Sequence, residues 1–128
     1  MVTPGSNASI TFVVDEASTA IALGSGDVPV LGTPRVVALC EEASVVAIDG
    51  LLDPEQTTVG TNISVDHTAP SAVGSTVVAT ATVVSADDRS IEFSVAVAEA
   101  GQTVAEGTHR RAIINRARFL NRLAGRGL

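Results

Sequence analysis

Three side chains in this sequence have the types and spacing to do chemistry: Thr33, Glu41 and His67. Thr33 opens the run GTPRVVALCEEAS (Gly32 to Ser44), Glu41 follows it by eight residues, and His67 lies 26 residues further on, in VGTNISVDHTAP (Val59 to Pro70). A hydroxyl, a carboxylate and an imidazole gathered at one site could hydrolyse an ester or thioester. The carboxylate would serve as nucleophile or general base, and the imidazole would carry protons.

Each of the three also has a plainer reading. Threonine directly before Pro34 at a helix start is what helix capping selects, so Thr33 is expected to cap as well as to react. Glu42 falls on a polar stripe and reads as a solvated charge, whereas Glu41 is turned about 100° away from it. Its neighbours one turn either way are Val37, Ala38, Ser44 and Val45. A carboxylate on an apolar stripe is rarely kept without a partner or a task. His67 closes a predicted strand, a place where histidine is usually structural or exposed. His109, in the middle of another predicted strand, is read as structural or exposed. Two histidines on separate strands, with no cluster of cysteine or aspartate nearby, do not compose a metal site. No glycine-rich phosphate loop and no G-x-S-x-G elbow is present.

The elements that must position these groups follow from pattern. Pro34 to about Asp49 reads as one long helix, with Pro at its start and Gly50 and Pro54 beyond its end. Arg35, Glu42 and Asp49 recur every seven residues as one narrow polar stripe, and nearly all else is apolar. A helix so apolar around its girth is expected to be buried on most sides. The wrapping strands are predicted at Ser9–Val14, Thr57–Asp66, 74–85, 90–99 and 103–114. Turns are expected at Asp87-Asp88 and at Gly101. Residues 116–124 read as a short amphipathic helix with Phe119, Leu120 and Leu123 facing inward. Short turns imply antiparallel neighbours. The expected fold is α+β: a curved antiparallel sheet wrapped around one long central helix, the hotdog arrangement, as a single domain over 1–128.

Composition narrows the class. The chain has 128 residues, 45% hydrophobic, with no Trp, no Tyr and three Phe. Its core must be aliphatic, and a homo-oligomer is expected because such side chains bury less area than aromatic rings. Residues 1–108 hold all 14 acids and only Arg35 and Arg89, a net of −12, while residues 109–128 hold six Arg and no acid. With an acidic body and no interleaved aromatics, nucleic acid is not the expected partner. Arg116, Arg118, Arg122 and Arg126 read as a solvated helix face, or as attraction for the phosphates of coenzyme A. No stretch approaches the length of a membrane span, no leader pattern is evident, and Cys40 is alone. The simplest expectation is a cytoplasmic protein.

The runs around Thr33 and Glu41, around His67, and EGTHRRAII (Glu106 to Ile114) resemble the fluoroacetyl-CoA thioesterase family, a branch of the hotdog-fold acyl-CoA thioesterases. The resemblance runs from about Gly32 to Arg111. It implies that Thr33, Glu41 and His67 are catalytic and that Gly60 and Arg111 contact the substrate. It also implies a homodimer that hydrolyses acyl-CoA with no metal and no cofactor beyond the coenzyme A of the substrate. Family members acting on fluoroacetyl-CoA resemble one another in an aromatic, acidic lid before the threonine. Here the corresponding stretch, IALGSGDVPVLG (Ile21 to Gly32), is shorter and has no aromatic residue, so a non-fluorinated acyl group is expected. Two other functions share the fold. One is a module that binds acyl-CoA without turning it over. The other is a hydratase or dehydratase, for which only Asp66-His67 approaches the needed acid–imidazole pairing, without the usual spacing.

Overall fold

The computed structural model describes residues 1–126; Gly127 and Leu128, the end of the predicted domain, lie outside the described residues. Among the described residues there are five strands: β1 (Asn7–Val13), β2 (Gln56–His67), β3 (Thr76–Ala86), β4 (Ser90–Glu99) and β5 (Gln102–Asn115). Three α-helices accompany them: α1 (Ala20–Leu23), α2 (Thr33–Ala47) and α3 (Arg116–Gly125). The strands form one sheet in the order β1-β3-β4-β5-β2, with every pairing antiparallel. The α+β hotdog architecture expected from the sequence is the one found. A 3-10 turn at Glu16–Ser18 and the four-residue α1 are additions that the sequence reading omitted.

The turns explain the antiparallel order. Asp87 Oδ1 accepts from the backbone N–H groups of Arg89 and Ser90 at 2.8 and 2.9 Å, closing the β3–β4 connection. Between β4 and β5, Ala100 and Gly101 both take positive φ (49° and 79°), the geometry that matches the right-handed twist of a two-residue hairpin.

One stripe of α2 packs onto one face of the sheet. Val36, Leu39, Cys40, Ala43 and Ala47, spaced at three and four residues, are buried there against Val77, Ala79, Ala81, Ile91, Phe93, Val95 and Val97. Among the described residues Phe93 is the only aromatic ring that is fully buried, so the core is mainly aliphatic as expected. The opposite side of α2 corrects the expectation of burial on most sides. Val45 and Val46 remain 47% and 52% exposed, because one five-stranded sheet covers only one face of a helix. The polar stripe is solvated: Arg35 bonds Glu42 at 3.0 Å and lies 4.5 Å from the Phe12 ring centroid. In α3, Phe119 and Leu123 are half-buried but Leu120 is 55% exposed, so Leu120 does not face inward as expected. The helix touches little besides β5. Among the described residues no helix is long and apolar enough to cross a membrane.

Candidate active site

Thr33 is the first residue of α2 rather than its cap. Gly32 holds the N-cap position with no side-chain hydrogen bond, so the capping role expected of Thr33 is not used. Its hydroxyl is turned instead to His67, the last residue of β2, with Oγ1 2.8 Å from Nδ1. Either atom can donate, according to the imidazole tautomer. His67 Nε2 is buried and meets no hydrogen-bond partner among the described residues. The pair lines a cleft of about 290 Å³, whose walls include Ala20, Val30, Leu31 and Pro70.

The head of the helix leaves one donor available beside them. Pro34 has no N–H, and the N–H groups of Arg35 and Val36 both turn back to the Gly32 carbonyl at 3.0 and 3.1 Å. The Thr33 N–H, at the positive end of the helix dipole, is the donor left to polarise a carbonyl.

Glu41 stands at a second cleft, of about 520 Å³, with Arg111, Ala38, Val45 and Val46 in its walls. Its Oε2 lies 3.9 Å from Arg111 Nη1, close enough for charge attraction but beyond hydrogen-bond distance. Gly60 supplies the room. A Cβ at that position would lie 3.1 Å from Glu41 Oε2, 3.3 Å from His109 Cε1 and 3.4 Å from Arg111 Nη1. Burial pushes the Cys40 thiol up to about 11, assisted by the neighbouring Glu41 charge, so the lone cysteine is an inert part of the core.

Arg111 is only 8% exposed, and its guanidinium is tied down on three sides. Nε donates to Thr58 Oγ1 at 2.9 Å, Nη2 to the Thr58 carbonyl at 3.3 Å, and Nη1 to His109 Nε2 at 3.1 Å. Burial lowers its affinity for a proton and Glu41 opposes this; an arginine stays charged all the same.

Strand β2 brings both groupings to the same face of the sheet by an irregularity. Gly60 and His67 are seven residues apart, and in an unbroken strand an odd separation puts side chains on opposite faces. Gly60 pairs with Arg111 while Asn62 pairs with Arg110, so Thr61 is an extra residue, a β-bulge. That one residue resets the alternation, and Gly60, Ile63, Val65 and His67 all face α2. Asp66, by contrast, is on the solvent side of β2, so the Asp66-His67 pairing needed for a hydratase does not form a common site.

Within one chain the residues singled out from sequence therefore fall into two groups. Thr33 meets His67; Glu41 meets Gly60 and Arg111. Along α2, Thr33 and Glu41 are about 12 Å apart, and the clefts they line share no residue. His109, read from sequence as structural or exposed, is 2% exposed and belongs to the second group. The signal that could have placed it is the alternation of β5, in which Ala105, Gly107, His109 and Arg111 share one parity. No group of three or more His, Cys, Asp or Glu side chains poised to hold a metal ion occurs among the described residues.

The fold defines the class first. A hot-dog-like protein from Thermanaerovibrio acidaminovorans matches with a TM-score of 0.87 at 20% identity, over 96% of this chain and 91% of that one. Family follows from closer relatives. The sequence model described as fluoroacetyl-CoA-specific thioesterase, FlK, matches residues 14–117. The fluoroacetyl-CoA thioesterase of Streptantibioticus cattleyicolor is 36% identical over 90 residues, which is 70% of this chain and 65% of that protein, just under two thirds of the relative's length. A point mutant of fluoroacetyl-CoA thioesterase FlK in complex with acetyl-CoA matches with a TM-score of 0.90 and 28% identity, over 98% of both chains. This chain belongs to the fluoroacetyl-CoA-specific thioesterase family.

Proposed function

We propose that the chain is an acyl-CoA thioester hydrolase that works as a homodimer, with Thr33 and His67 of one subunit completed by the partner subunit's Glu41. The observation that carries the reading is the Thr33–His67 hydrogen bond at the head of α2, with a buried imidazole nitrogen still unpaired. Geometry supplies the rest. β2 is an edge strand of twelve residues, and an unpaired edge of that length is a template for another strand. Antiparallel pairing of two β2 strands about a two-fold axis at Ser64 sets Ile63 opposite Val65 and, with the Thr61 bulge taking up one residue, Gly60 of one opposite His67 of the other. Glu41, which lies beside Gly60, is carried with it. Val45 and Val46 then offer apolar surface to the partner.

In that site the Thr33 N–H polarises the thioester carbonyl. Glu41 acts in one of two ways. As nucleophile it attacks the carbonyl carbon, the C–S bond breaks, and the coenzyme A thiolate leaves a mixed anhydride, which water then opens to the free acid and the regenerated carboxylate. As general base it takes a proton from the water that attacks directly. His67 Nε2 passes a proton to the thiolate or accepts one from water, while the Thr33 hydroxyl orients the ring through Nδ1. Arg111 and Gly60 form the substrate's other boundary. No metal or cofactor enters these steps.

The relatives act on fluoroacetyl-CoA and bind acetyl-CoA by their names; for this chain a small, non-fluorinated acyl group is proposed. Support comes from the loop after α1 and the cleft at Thr33, whose walls are mostly small side chains and hold no Phe, Tyr or Trp. A cytoplasmic location is part of the proposal.

A panel of acyl-CoA substrates with free thiol as readout tests it. Glu41→Gln should lower turnover by about 10²–10⁴-fold or more while acyl-CoA affinity stays within a few-fold. An unchanged rate in that variant would remove Glu41 from the reaction and favour a binding module.

A further inference from the structure

We propose that His109 is a positioning residue for Arg111: a neutral imidazole whose bare nitrogen holds the guanidinium against the Glu41 cleft, and whose protonation releases it. The inference rests on the reading above only in taking Arg111 to contact the acyl-CoA.

The tautomer of His109 is fixed by its two partners. Nδ1 lies 2.8 Å from the Asn62 carbonyl, which can only accept, so Nδ1 carries the hydrogen. Nε2 lies 3.1 Å from Arg111 Nη1, which can only donate, so Nε2 carries none. Both contacts demand the same neutral form. An imidazolium would put N–H against N–H and positive charge against positive charge. The ring has no room to turn away, being 2% exposed and stacked on Phe93 with centroids 5.9 Å apart and planes 25° apart.

The arrangement is asymmetric in a way that simple core packing does not require. The Asn62 carbonyl that orients the ring belongs to the residue just after the β2 bulge, and Thr61 Oγ1 donates to the Arg110 carbonyl at 3.2 Å across the same irregularity. On the other side, Thr58 provides two acceptors for Arg111 and His109 the third. Removing His109 leaves the guanidinium held along one edge only, free to pivot about Thr58 toward Glu41.

The charged groups facing His109 are few. Arg111 of its own strand disfavours a proton, and Glu41 of α2 favours one; β2 contributes only the neutral Asn62 and Thr58, and β4 the apolar Phe93. Burial is the largest influence and lowers the affinity of the ring for a proton, with Arg111 acting in the same sense and the Asn62 carbonyl and Glu41 opposing. The neutral holding form is thus the resting one near pH 7, and acid opens it.

Two measurements on the full-length protein test the proposal. With acetyl-CoA as substrate, His109→Leu should raise KM about tenfold, the scale of one hydrogen bond to a charged group, with kcat changed less than threefold. His109→Gln, which restores an acceptor, should recover most of that KM. Wild-type KM should rise as pH falls below the ordinary histidine range, and the Gln variant should lose that rise. An unaltered KM in His109→Leu with only a lower Tm would make His109 a packing residue and overturn the proposal. The second measurement needs no substrate: the NMR signal of Arg111 Nε–H should broaden on acidification with the midpoint of the His109 ring and be absent in His109→Leu. If that coupling is seen but no acyl-CoA is hydrolysed, the functional reading fails and the positioning stands. Independent titrations would overturn the positioning.

Discussion

If the two clefts are halves of one site joined across a dimer, two inactive chains can restore each other. Consider Glu41→Gln and His67→Ala, each made as a homodimer. A reacting carbonyl needs its catalytic groups within about 3–3.5 Å, whereas Thr33 and Glu41 of one chain are separated by about 12 Å along α2. Neither parent then has an intact site, and each should fall by about 10²–10⁴-fold. Mixed in equal amounts, dissociated and reassembled at random, about half of the dimers are mixed, and each mixed dimer has one doubly altered site and one unaltered site. The mixture should recover about a quarter of wild-type thiol release. Differently tagged chains, followed by native mass spectrometry, show whether mixed dimers have formed. Mixed dimers present at the expected fraction with activity still at the parental level would refute the shared site, since a site built within one chain leaves every site carrying one lesion.

Two further predictions concern the sheet and its acid response. A Cβ on Gly107 would overlap the Ser64 carbonyl oxygen and lie 2.9 Å from Val65 Cα. Gly107→Ala must therefore part β2 from β5, and it should cost about 3 kcal/mol or more in urea unfolding; a change below about 0.5 kcal/mol would show that the strands separate freely. Because burial holds the His109 ring below its usual proton affinity, the unfolded chain binds the extra proton first. Stability is full above about pH 6.5 and is lost as pH falls from there toward the lowered folded value. Tm measured at pH 7.5 and 5.5 should drop more in the wild type than in His109→Gln, and equal drops would assign the effect elsewhere. Asp87, whose proton affinity is lowered by the backbone N–H groups of Arg89 and Ser90, loses its contribution only in more acid solution and does not enter that window.

The fold was legible in the sequence because its signals are periodic. The Pro34 start and apolar girth of α2, the alternation of β4 and the turn residues at Asp87 and Gly101 each report local geometry, and the elements lie within a few residues of expectation. What stayed hidden depends on contacts between distant segments. The Thr33 hydroxyl faced a choice between capping and His67, 34 residues away, and only the packed chain decides it. The same holds for His109: a polar residue in a strand can face either way until the register with β2 is known. The bulge at Thr61 is announced only by Gly60 beside it, and a glycine inside a strand marks a close approach as readily as a bulge. Exposure of Val45, Val46 and Leu120 reflects the surface that a single chain cannot cover.

That extra residue in β2 gives the strand something like a reading frame. Exchange of one side chain for another between positions 60 and 67 is a local event, but gain or loss of a residue there would turn one end of the strand inside out relative to the other. The glycine and the imidazole could no longer look toward the same helix. A change in length is accordingly more easily accommodated in the exposed residues 24–29 between α1 and α2 than along the strand that keeps the two ends in phase.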